Sequence, residues 1–118
     1  MPPPSILRQR WALRISAFEP TSAEPLHVIR LGDVAFATNR FELYLDYGVR
    51  MKARSRALQT FVVQLTAGGA YTGTYLPTAR SEAGRSYGAG PYCNEIGSEG
   101  GQVLVEETLA TIGELFAD

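Results

Sequence analysis

Thr60-Phe-Val-Val-Gln-Leu-Thr is a short run, mostly apolar at consecutive positions and rich in β-branched residues. Side chains of a strand alternate between the two faces of its sheet, so a run of this kind belongs to a central strand covered on both sides. That requirement governs the reading of the segments around it. Upstream, Leu26-His-Val-Ile-Arg-Leu alternates in part, Gly32-Asp33 punctuates it, and Val34-Ala-Phe-Ala-Thr resumes the pattern. These residues predict a β-hairpin or two abutting strands. Asn39 then precedes Glu42 by three positions in the manner of a capping box, and Phe41, Leu45 and Val49 recur on one helical face. A first helix is therefore expected over about residues 40–54.

The stretch from Ala67 to Gly97 has many glycines and almost no periodicity, and it reads as a long loop of the kind that is either functional or disordered. Ser98 is expected to cap a final helix in which Leu104 or Val105, Leu109, Ile112 and Phe116 recur at helical spacing. Prolines at both ends of residues 1–25 restrict that segment to a short helix or an extended arm. The expected architecture is thus one small α/β module over residues 26–118, in the order β-β-α-β-loop-α. Its sheet is mixed, has at least three strands and carries flanking helices.

With 45% apolar and 19% charged residues and a net charge of -1, the chain has the composition of a globular protein. It lacks the basic, aromatic-interleaved stripe of a nucleic-acid binder. The basic residues at Arg8, Arg10, Arg14 and in 50–56 and the acidic ones after Arg85 read as solvated faces. No apolar run reaches the length of a membrane span and the start has no secretory core, so the expected location is the cytoplasm. Cys93 is the only cysteine, which excludes an internal disulfide.

Three local features bear on chemistry. Glu42, where a strand meets a helix, is suited to be a metal ligand or general base at the carboxyl edge of a sheet, although helix capping explains it as well. Tyr71 and Tyr75 lie in a glycine-rich loop after the central strand and offer phenol oxygens to a ligand or a metal, or else pack with a hydrogen-bonded tip. Ser98, Gly100 and Gly101 begin a helix, where free N–H groups bind an anion or form a tight cap against the sheet. His27 is the only histidine and lies in a predicted strand, a position more often structural than catalytic.

Taken in order, Gly32-Asp-Val-Ala-Phe-Ala-Thr-Asn-Arg-Phe-Glu-Leu-Tyr-Leu-Asp-Tyr-Gly, Gln59-Thr-Phe-Val-Val-Gln-Leu, Tyr75-Leu-Pro-Thr and Gly97-Ser-Glu-Gly-Gly-Gln resemble the closing stretch of the neutral/alkaline, non-lysosomal ceramidase-like domain. The resemblance implies a zinc amidase that hydrolyses an N-acyl sphingoid amide, its metal held by two histidines, a glutamate and a tyrosine. Glu42 matches the glutamate and Tyr75 the tyrosine, with Tyr71 the competing match. His27 matches neither histidine, so the resemblance implies no catalytic residue here and a metal pair that is vestigial or completed by another chain. Zinc is expected only if that chain supplies ligands. Two accounts follow, a C-terminal fragment of a ceramidase-like hydrolase that is inactive alone, or a non-catalytic binding or assembly module that keeps the fold elements. In either case a strand apolar on both faces requires cover, which implies a homo-oligomer or an upstream histidine-bearing partner.

Overall fold

The computed structural model describes residues 7–15, 24–66, 74–90, 93–94 and 96–117, with residues 7–15 and 24–25 described by backbone alone. The chain forms β1 (Leu7–Ile15), β2 (Glu24–Leu31), β3 (Val34–Thr38), β4 (Glu42–Leu43), α1 (Leu45–Arg54), β5 (Gln59–Val63), β6 (Tyr75–Leu76), α2 (Ala79–Ala83) and α3 (Gly97–Leu115). A four-stranded mixed sheet has the order β1-β2-β3-β5, and β4 and β6 make a separate parallel pair. The small mixed α/β module expected from the sequence is the fold observed.

Gly32 and Asp33 join β2 to β3 as an antiparallel hairpin, Leu31 registering with Val34. Gly32 has φ 60, a positive value at the first of two turn residues that suits the right-handed twist of the flanking strands. β3 and β5 then run parallel, Val34 registering with Gln59 and Thr38 with Val63, and α1 is the crossover between them.

One face of the sheet carries the core. Val28, Ala35 and Ala37 are buried there against Ile112 and Leu115 of α3, and a second cluster joins Leu26, Phe41, Tyr47, Met51, Leu76, Leu104 and Val105. α3 is amphipathic and lays one side on the core, because Leu104, Val105, Ile112 and Leu115 recur on that side while Gln102, Glu106 and Glu114 are exposed. Arg54 of α1 meets Glu106 of α3 with two hydrogen bonds of 2.7 and 3.0 Å, so one basic residue of the 50–56 cluster is paired across helices at the surface.

Several expectations change. The run at Thr60 is an edge strand rather than a central one: Thr60 is buried and Val62 half-buried on the helix side, whereas Phe61 and Val63 are exposed on the other. Among the described residues the helices cover one face of the sheet, so consecutive apolar residues here do not mean helical cover on both sides. The first helix begins at Leu45, not near Arg40, since Asn39 spends its side chain on Phe41 N–H at 3.0 Å and Glu42–Leu43 pair as a strand. With that later start the buried residues of α1 are Tyr47 and Met51, while Leu45 and Val49 face water. Of the two alternatives for the first segment, residues 7–15 take the extended one, as a strand registered against β2. The long loop contains β6 and α2, the latter capped by Thr78, whose hydroxyl accepts from Ser81 N–H at 3.2 Å.

α1 meets α3 at a glycine. The Tyr47 ring lies directly on the α3 backbone at Gly101, where an added Cβ would stand 2.1 Å from the phenol oxygen and 2.2 Å from Cζ. The Tyr47 hydroxyl donates to the Pro77 carbonyl at 2.5 Å, and burial pushes the phenol up to about 12. Gly101→Ala is expected to destabilise the fold by about 3 kcal/mol or more, the upper end of overpacking costs, since the obstacle is a fully buried ring and not a flexible tip. Urea unfolding measures it; a midpoint unchanged from wild type would show that α1 and α3 can separate freely.

Candidate functional site

Past the ends of β3 and β5 the chain is knotted by backbone bonds around Asn39. Asn39 N–H donates to Val63 O at 3.0 Å, its carbonyl accepts from Thr66 N–H at 2.9 Å, and Phe41 O accepts from Leu65 N–H at 3.2 Å. Leu65 takes φ 58 to make that bond, a left-handed conformation costing a side-chain-bearing residue about 1–2 kcal/mol. Strain of this sort sits where the chain is turned for a purpose, and here it ends β5 and lets β4 turn toward β6.

β4 and β6 then pair in parallel, with Glu42 registered on Tyr75 and Leu43 on Leu76. Glu42 N–H donates to Thr74 O at 3.1 Å and Tyr44 N–H to Leu76 O at 3.3 Å. The two residues carried over from the resemblance, one before α1 and the other after β5, are thus neighbours at the carboxyl edge of the parallel strands, where α/β folds bind ligands. Glu42 is not at the third position of a helix, so helix capping does not account for it.

Glu42 and Tyr75 are register partners, which brings the carboxylate into electrostatic range of the phenol. Burial raises the Tyr75 pKa above the ordinary phenol value, and the charge of Glu42, then Tyr87, adds to the rise. Two more rings stand edge-on to it, Tyr44 at 6.4 Å and Tyr87 at 5.6 Å between centroids. The Tyr44 hydroxyl donates to Tyr87 O, and Tyr75 N–H donates to Cys93 O at 2.9 Å. Thr74 Oγ1, one residue before Tyr75, is buried and has no hydrogen-bond partner among the described residues.

The other candidates fall elsewhere. Tyr71 lies outside the described residues. Ser98 is inside α3 and not its N-cap, which is Ile96; its N–H and hydroxyl both donate to the Glu82 carboxylate, each at 2.8 Å. The anion at this helix start is therefore the chain's own Glu82, a favourable place for negative charge. Gly100 and Gly101 are buried, and Gly101 is packed against Tyr47, which agrees with the tight-cap alternative for this helix start. His27 registers with Thr38, and among the described residues no group of three or more His, Cys, Asp or Glu is arranged to hold a metal ion. Tyr44, Tyr87, Gly88 and Asn94 were not signalled by sequence, apart from Tyr44 lying two positions after Glu42 on the same strand exit. Among the described residues no helix is long and apolar enough to cross a membrane.

Compared with models of protein families, with curated proteins and with solved structures, the chain matches none.

The Tyr75 phenol is expected to ionise above ordinary tyrosines in an NMR titration. Glu42→Gln should lower that value by removing the carboxylate charge yet leave it raised, because burial is the largest cause. A Tyr75 titration indifferent to Glu42→Gln would mean that the two side chains do not interact in solution.

Proposed function

We propose that this chain is the closing α/β module of a ceramidase-like zinc amidohydrolase and is inactive by itself. The observation that carries the reading is the contact of Glu42 with Tyr75 on the β4·β6 pair, since the resemblance named those two residues from separate segments. A carboxylate and a phenol are two oxygen donors of the kinds a zinc site uses, but two oxygens hold zinc weakly. The described residues therefore do not fit the metal on their own. Two imidazoles, from another chain or from polypeptide beyond these 118 residues, complete the set on this reading. The substrate class is an N-acyl sphingoid amide, as the resemblance implies.

Metal analysis of the purified chain is expected to return far less than equimolar zinc, together with no amidase activity. The complex with the polypeptide of the neighbouring upstream reading frame is expected to retain about one zinc, lost on Glu42→Gln or Tyr75→Phe. Near-equimolar zinc on the isolated chain that Glu42→Ala removes would overturn the claim of inactivity, and zinc in the complex indifferent to both variants would overturn the assignment of the pair.

A second reading, a non-catalytic assembly module, is favoured by the uncovered face of the sheet. Phe36 and Phe61 stack there with centroids 5.1 Å apart, and Leu31, Phe61 and Val63 are exposed, as are Leu45 and Val49 on α1. Apolar surface of this extent beside an edge strand favours association with another copy or a partner. Light scattering at micromolar concentration is expected to give at least a dimer, and a soluble monomer at that concentration sinks this reading.

A further inference from the structure

The Tyr75 ring is held by a turn that neither the capping of α3 nor the core requires. Asn94 Nδ2 donates to Ala89 O at 2.9 Å and Gly90 O at 3.0 Å, with Gly88 O at 3.5 Å a marginal third. Two side-chain donors thus gather successive carbonyls on the inside of one bend. Ala89 N–H donates to Ser86 O at 3.0 Å, and the backbone of Cys93 and Asn94 returns to Gly90 O at 2.9 and 3.2 Å. The bend is in turn tied to both strands of the candidate site, to β6 through Tyr75 N–H and Cys93 O and to the end of β4 through the Tyr44 hydroxyl and Tyr87 O.

Gly88 is the point at which this turn touches Tyr75. It has φ 85, a conformation that residues with a Cβ rarely adopt, and it is buried. A Cβ there would stand 2.9 Å from Tyr75 Cγ, 3.0 Å from Cδ1 and 3.1 Å from the Tyr44 hydroxyl. The backbone therefore lies against the root of the Tyr75 ring, and Tyr44 and Tyr87 stand edge-on to it. With the ring pressed at its base and met by two others, the freedom left to the phenol beside Glu42 is small.

We propose that the bend formed by residues 86–90 with Cys93 and Asn94, locked by Asn94 and pressed on the ring through Gly88, is the positioning device that holds the Tyr75 phenol beside Glu42. This rests on the reading of Glu42 and Tyr75 as a ligand pair, and adds that the pair is set in place before any metal arrives. A polyatomic site of this kind depends on the groups behind its ligands, and losing one typically weakens metal affinity by about 10–100-fold. Asn94 and Gly88 touch no metal or substrate themselves; they act through Tyr75.

The test uses the whole chain, free of metal, with 3-fluorotyrosine in place of tyrosine. The Tyr75 fluorine signal is identified by its absence in Tyr75→Phe, and its displacement on Glu42→Gln measures the contact between the two side chains. In Asn94→Ala and in Gly88→Ala that displacement is expected to fall at least threefold, while the signal of Tyr47, buried between α1 and α3, keeps its position and reports an intact core. Asn94→Ala adds no atom to the interior, so it decides the matter if Gly88→Ala fails to fold. A displacement of wild-type size in Asn94→Ala, with Tyr47 unmoved, overturns the proposal. The zinc reading fails on a different result, a complex without metal, so the two failures are told apart.

Discussion

The contact of the Tyr47 ring with the bare backbone of Gly101 ties together every element that matters to the candidate site. It brings α1 and α3 closer than any side chain at position 101 would permit, and its hydroxyl reaches past α3 to the carbonyl of Pro77, directly after β6. α1 follows β4 and Pro77 follows β6, so one side chain sets the separation of the two short strands that carry Glu42 and Tyr75. Two residues of β-pairing are too few to persist unaided. The β4·β6 pair is supported by the helix packing behind it, and the Tyr47 phenol offsets the cost of its burial by a hydrogen bond to the Pro77 carbonyl.

The sequence carried the sheet and the final helix in legible form, because both are written in periodicity. Val28, Ala35 and Ala37 alternate with residues of the opposite face, and Leu104, Val105 and Ile112 follow a helical stripe. What misled was residue chemistry that serves two local structures equally well. Asn39 followed by Glu42 fits a capping box and also fits a turn into a strand, and only the backbone bonds to Val63 and Thr66, distant in sequence, select the second. The same holds at Ser98, whose partner is Glu82 of another helix, and at α1, where Leu45 and Val49 are as apolar as Met51 yet lie on the exposed side. Which apolar stripe of a short helix is buried depends on the neighbour it meets, and that neighbour, the glycine step of α3, is far away in the chain.

For the site, the sequence supplied the pair and the structure supplied the reason the pair is close. Glu42 and Tyr75 stand at the exits of two parallel strands, and parallel strands joined by a crossover helix end at the same edge. The rings of Tyr44 and Tyr87 and the turn at Gly88 were invisible because nothing local distinguishes a tyrosine that packs on another tyrosine from one that faces solvent. The glycine at 88 has meaning only beside the ring it touches.

In the metal-free chain the Tyr75 phenol is neutral, because burial and the adjacent Glu42 charge both favour the proton, and a neutral phenol is a poor metal ligand. A dication held beside the pair would invert that preference, since its charge would outweigh that of the carboxylate and favour the phenolate. On the proposed reading, deprotonation of Tyr75 would therefore be coupled to the arrival of a metal. On the proposed reading the coupling makes the isolated chain silent toward zinc, and the same pair becomes a competent half-site once imidazoles bring the ion within reach. On the same reading a partner bearing them would dock on the apolar face that the described helices leave exposed, so that one association would meet both the shortfall in ligands and the shortfall in cover.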